Sequence, residues 1–128
     1  MTATATTAPS HDRSRADTAV WALQILLGLF FAIASATPKL VAHSSAVESF
    51  DVIGYGSWFM YLIGALELAG AIGLVVPRLA GIAAVAFIGL MVGAFTFQVV
   101  YFDGRNAATP IVIAALLGVI AWRRLRRA

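Results

Sequence analysis

Four long stretches of this chain carry apolar residues on every face of a helix, and each ends at a short polar break. The first, "TAVWALQILLGLFFAIASA", is uncharged from Thr18 to the break at Thr37 and Pro38. The second runs from about Ser57 to Val76, the third from Leu79 to Phe102, and the fourth from about Ala107 to Trp122. A helix rises 1.5 Å per residue, so about 20 such residues cross the roughly 30 Å of bilayer hydrocarbon. Only Pro77-Arg78 separates the second stretch from the third, which predicts an antiparallel helical hairpin. Asp103-Gly104-Arg105-Asn106 predicts a turn, with Gly104 available for positive φ. Pro110 falls in the first turn of the fourth helix, where a missing N–H costs little.

Composition turns this pattern into a class. Of 128 residues, 61% are hydrophobic and 12% charged, and the mean hydropathy is +0.90. A soluble domain of this length has too little interior to hide that much apolar surface, so the chain is an integral membrane protein. The absence of cysteine removes disulfides, thiolate metal sites and thiol redox chemistry. The net charge of +3 does not point to nucleic acid, because four of the nine basic residues crowd into the terminal "WRRLRRA".

Basic residues also predict orientation. Arg13, Arg15, Arg78, Arg123, Arg124, Arg126 and Arg127 fall on one side of the four spans, against Lys39 and Arg105 on the other. The positive-inside rule then places both termini in the cytoplasm. Trp21 and Trp122 lie at the inner interface, and Tyr55, Trp58, Tyr101 and Phe102 at the outer one. The expected fold is therefore all-α: a multi-pass bundle of four transmembrane helices in the plasma membrane. Residues 1–17 are expected to be a disordered cytoplasmic tail, 18–122 the membrane domain and 123–128 a basic cytoplasmic tail. A cleaved secretory signal is the rival reading of the first stretch, since Ala34-Ser35-Ala36 resembles a cleavage site. The stretch is long for a signal, and further spans follow it.

The outer connection from Thr37 to Gly56 is too long for a turn. Within it Ser45 and Glu48 have capping-box spacing, and Val47, Phe50 and Ile53 recur every third residue. This predicts a short amphipathic helix lying on the bundle or dipping into it, as a simple cover or as a lid over a cavity.

Glu67 is the one carboxylate within the spans and lies about ten residues into its helix, roughly 15 Å below the outer interface. A lone ionised carboxylate is costly there, so it must be protonated or partnered. Its helix face carries Met60, Ile63, Gly64, Gly70, Ala71 and Leu74, and the glycines let a second helix approach, which turns Glu67 inward. Lys39, the only lysine, is one candidate partner if the first helix continues past Pro38, and otherwise a snorkelling interfacial residue. Gln98 and Tyr101 lie in the outer third of the third span, with Gln98 suited to an interhelical hydrogen bond or to a ligand head group. Gly89 and Gly93, with Ala65, Ala69 and Gly73 on the second span and Ala114 and Gly118 on the fourth, have the spacing of close-packing seams, within one bundle or in a homo-oligomer. His11 and His43 are too few and too separated for a metal or haem site. No nucleotide-binding or hydrolase motif is present.

"LLGLFFAIASATPKL", "VESFDVIGYG", "IGALELAGAIGLVVPRLAG" and "IGLMVGAFTFQ" together resemble the DoxX and DoxX-like family of small four-helix membrane proteins. The most specific pieces are Pro-Lys-Leu after the first helix and Gly-x-x-Glu-x-x-Gly at Gly64, Glu67 and Gly70. The resemblance implies a link to quinone-dependent redox assemblies, in which related polypeptides are subunits of a membrane oxidoreductase. Many family members have no settled function. Members often carry His toward the end of the third helix, where this chain has Gln98. That departure weakens a transferred proton-relay or ligand role there, and the absence of cysteine and of paired intramembrane histidines implies that any electron transfer would need a partner's cofactor or a diffusible quinone. The leading expectation is a subunit without catalysis of its own, accessory or ligand-binding, that takes a quinone or lipid and docks redox-protein subunits. The alternatives are a small proton-coupled transporter using Glu67, or a purely structural assembly protein in which Glu67 is packing glue.

Overall fold

The computed structural model describes the backbone of residues 2–127 and the side chains of residues 15–126. Helix α1 (Thr2–Leu29) passes without a break into a π-helical segment (Phe30–Ala36) and then into α2 (Thr37–Leu40). Pro38 supplies a reason for the widened turns. In a regular α-helix its ring would meet the carbonyl of Ala34 and its missing N–H would leave a bond unmade, whereas a π register relieves both. The Thr37 N–H accordingly bonds the carbonyl of Ala32, five residues back.

Helix α3 (Ser44–Ile53) follows, then α4 (Ser57–Val75), α5 (Ala80–Tyr101) and α6 (Ala108–Arg127). Arg15–Leu40, Ser57–Val75, Ala80–Tyr101 and Ala108–Arg126 are each long and apolar enough to cross a membrane. With an even number of crossings, both termini lie at one end of the bundle, here called the terminal end, and α3 lies at the other, the loop end.

The span boundaries agree with the hydropathy pattern to within one or two residues, except at the termini and at the end of the first span, where the helix runs on past the break expected at Thr37 and Pro38 to Leu40. The backbone is already helical at Thr2, ahead of the start expected at Thr18, and α6 continues past Trp122 to Arg127. Arginine is a good helix former, and Arg124 is drawn back onto α1 by the contacts described below. The α3 cap also differs from expectation. His43 caps the helix, its Nδ1 accepting from the Ser45 N–H at 3.2 Å, in place of a Ser45–Glu48 box. Val47, Phe50 and Ile53 do share the inward side, with Ile53 buried. Positive φ at Gly54 and Gly56 lets the chain leave α3 and re-enter the bundle as α4.

Packing divides the bundle into two halves. In the terminal half Leu74, Ala84, Leu117 and Ile120 are fully buried. Phe31 and Phe87 stack there with centroids 4.0 Å apart and planes 13° from parallel. Glycines bring the helices together: a Cβ on Gly70 would fall 2.6 Å from the Phe87 ring, and one on Gly73 would fall 3.0 Å from the Ala83 Cβ. Gly89 and Gly93 behave otherwise. A Cβ at either meets nothing within 4 Å, so their spacing marks a bare helix face in the loop half, not a packing seam. Ala65 and Ala69 are exposed on the outside of α4 and form no internal seam.

Candidate functional site

Glu67 projects from the middle of α4 on the face carrying Met60, Gly64, Ala71 and Leu74, all buried, as the 3.6-residue period requires. Its side chain is 6% exposed. The α1–π–α2 rod packs alongside, and Gly64 makes the close approach possible, since a Cβ there would lie 2.9 Å from the Lys39 Cβ. The first helix does continue past Pro38, which brings Lys39 down beside α4.

Three side chains then form one charged cluster. The Lys39 ammonium Nζ lies 2.9 Å from Glu67 Oε1. Ser35 Oγ donates to Glu67 Oε2 at 2.8 Å. Lys39 Nζ donates to the Ser35 carbonyl and to Ser35 Oγ, each at 3.0 Å. Ser35 and Lys39 are one helical turn apart, and the π-helical segment carries Ser35 onto the α4 face. Glu67 Oε2 is thereby satisfied. Oε1 faces the Lys39 ammonium at 2.9 Å, and the third ammonium N–H, unused by Ser35, is left for it.

The cluster opens into a cavity of about 820 Å³ in the loop half of the bundle. Phe30, Phe50, Phe59 and Phe97 form aromatic walls, and α3 covers it through Ser49, Phe50 and Ile53. Gly89 and Gly93 line the α5 side. Arg105, Asn106 and Thr109 form a polar rim. Gln98 also lines the cavity, with its Oε1 buried and without a hydrogen-bond partner. Tyr101 does not line it. It packs on Phe97 at 5.6 Å, and its hydroxyl bonds that of Tyr55 in an aromatic cluster toward the loop end. Glu67, Lys39 and Gln98 therefore share one cavity, and Tyr101 stands outside it.

A second polar network closes the terminal end, and sequence reasoning did not single it out. Gln24 is fully buried and donates through Nε2 to the Leu74 carbonyl at 2.7 Å. That carbonyl lies in the last turn of α4, where intrahelical donors run out. Arg124 on α6 donates through Nε to Gln24 Oε1 at 2.6 Å and pairs with Asp17 on α1. Its guanidinium also lies 5.5 Å from the Trp21 ring centroid. One chain of polar contacts thus ties α1, α4 and α6 together. A lone Gln within an apolar span was the available signal for Gln24. Its partner Arg124 lies 100 residues away in sequence and reads there as an orientation signal.

Among the described residues no group of three or more His, Cys, Asp or Glu is placed to hold a metal ion. No curated protein and no solved structure matches the chain. A model of the DoxX-like family does match, over residues 22–120. That stretch contains the Ser35–Lys39–Glu67 cluster, every cavity-lining side chain and Gln24, and it covers most of the 128 residues. The chain is therefore a multi-pass membrane protein of the DoxX-like family.

Proposed function

We propose that this protein is a ligand-binding membrane subunit, without catalysis of its own, that holds a lipid-soluble molecule of the quinone class in its loop-end cavity. The single observation that carries this reading is a charged cluster set into a cavity that is otherwise aromatic. Bilayer-embedded pockets for small molecules combine apolar walls with a few convergent polar groups, and about 820 Å³ lies within the range such pockets occupy. An ion pair kept within a membrane-spanning helix is costly, and retaining it favours a role beyond packing.

The cavity is one-ended, which favours binding over passage. Below it lie the stacked Phe31 and Phe87 rings, and beyond them the Gln24–Arg124–Asp17 network. The basic terminal end faces the cytoplasm in this reading and the covered cavity faces outward, with the protein in the plasma membrane. Redox-protein subunits are the proposed partners, and the Arg-rich end of α6 suits anionic lipid or an acidic partner surface.

Gentle extraction from native membranes followed by mass spectrometry tests this. Wild-type protein is expected to carry a quinone, with oxidoreductase subunits alongside, and Glu67→Gln is expected to lose the small molecule. Wild-type protein that carries neither refutes the proposal.

A further inference from the structure

The cavity is polar at two ends and apolar between them. At the deep end stands the Ser35–Lys39–Glu67 cluster, in which each ammonium N–H of Lys39 has an acceptor. At the other end Gln98 lines the cavity, and its Oε1 is buried without a hydrogen-bond donor. The turn after α5 folds back over this end. The Gln98 carbonyl accepts from the N–H groups of Phe102 and Gly104 at 3.1 and 2.7 Å, and Arg105 and Asn106 follow at the rim. A glutamine kept for packing would bond a neighbouring helix. None of the described residues supplies that bond, and buried acceptors left without a donor are rare in native structures.

The helix register sets the interval between the two ends. Helices α4 and α5 run antiparallel, with Gly70 against Phe87, and Phe59 against Phe97 at 5.9 Å between ring centroids. Glu67 is therefore level with Gly89 and Leu90. Gln98 stands eight residues beyond Leu90 on α5, about 12 Å at 1.5 Å per residue. Each Cα–Cβ bond tilts toward its helix N-terminus, so in this antiparallel pair the two side chains lean toward each other and narrow the gap. At Gly93, within that interval, a Cβ would have no neighbour within 4 Å, which leaves the α5 side open. A flat ring with a polar atom at either end, and one hydrogen bond beyond each, suits an interval of this length.

We infer that Gln98 is a specificity-determining residue: it holds the second polar end of a compact ligand whose first end meets the Lys39–Glu67 cluster. This rests on the ligand-binding reading above and deepens it. Within the quinone class, the ring is held at both of its opposed oxygens. A carboxamide donates and accepts, and a half-turn exchanges the two, so Gln98 serves an oxidised carbonyl and a reduced hydroxyl alike.

The test measures saturable binding of three probes of similar size to the full chain in lipid nanodiscs, under anaerobic conditions and against empty nanodiscs. Tetramethylhydroquinone and tetramethyl-1,4-benzoquinone carry oxygens at both ends of the ring, and 2,3,5,6-tetramethylphenol carries one at a single end. One further net hydrogen bond is expected to favour each two-oxygen probe over the phenol by about threefold to tenfold. Gln98→Leu is expected to remove that preference and leave phenol binding unchanged. Because the Gln98 oxygen has no bond to lose in the unliganded protein, the same variant is expected to keep or raise thermal stability. Lowered stability with an intact preference would mark Gln98 as structural and overturn the inference. Equal wild-type binding of the three probes overturns it too, and leaves the ligand-binding reading standing. Saturable binding of none of them overturns both.

Discussion

Gly70→Ala and Gly93→Ala make the same chemical change on two facing helices and are expected to have opposite signs. At Gly70 the added methyl would lie 2.6 Å from two ring carbons of Phe87. That ring is 1% exposed and stacks on Phe31 at 4.0 Å, so it has no room to retreat. Overpacking a tight interior costs about 1–3 kcal/mol, and the helix preference for Ala over Gly returns at most about 1 kcal/mol. The net expectation is a loss of about 1–2 kcal/mol for Gly70→Ala. Gly93→Ala meets nothing within 4 Å, so only the helix preference acts and stability rises by up to about 1 kcal/mol. Reversible unfolding in mixed detergent micelles reads both. The combination Gly70→Ala with Phe87→Leu separates the clash from other effects, since removing the ring should recover part of the loss. Equal stabilities for Gly70→Ala and Gly93→Ala would refute the division of the bundle into a packed half and an open one.

Further expectations concern the two polar clusters. Lys39→Met leaves the Glu67 carboxylate buried without its counter-charge and should lower stability by about 3–5 kcal/mol, as breaking buried ion pairs does. Adding Glu67→Gln to Lys39→Met should restore much of that in the same unfolding assay, and an unrecovered double variant would argue against direct coupling. Gln24→Leu strips the Leu74 carbonyl of its donor and Arg124 Nε of its acceptor, for an expected loss of about 1–3 kcal/mol. Hydrogen exchange should show faster amide exchange in the last turns of α4 and α6, and unchanged protection there would contradict the role given to the network.

Much of the fold was legible because a bilayer imposes length and hydropathy on each span, and the inward face of α4 followed from Glu67 and its flanking glycines. The Lys39–Glu67 pair was legible only conditionally, since it depends on the rod continuing past Pro38 through a π-helical segment, which hydropathy does not encode. Ser35 stands out in sequence only as the middle of the Ala34-Ser35-Ala36 stretch that resembles a cleavage site, and only the adjacency of two helices makes it the link between Lys39 and Glu67. Gly89 and Gly93 show the opposite limit. Four-residue glycine spacing is the same whether a helix packs there or a cavity opens there, and the three-dimensional neighbours decide. Gln24 and Arg124 meet because α1 and α6 are adjacent at the terminal end, a topological fact absent from either local sequence.

The most direct test of the central claim uses the absence of cysteine from the chain. Gly93→Cys places a single thiol on the bare α5 wall of the cavity, and Glu48→Cys places one on the exposed side of α3 as a control. Maleimide labelling in membranes, with and without decylubiquinol, measures access to each. The account predicts that Gly93→Cys labels and that the ligand protects it, while Glu48→Cys labels equally in both conditions. Failure of Gly93→Cys to label, or labelling that the ligand leaves unchanged, would contradict a ligand-binding cavity between Glu67 and the α5 glycines.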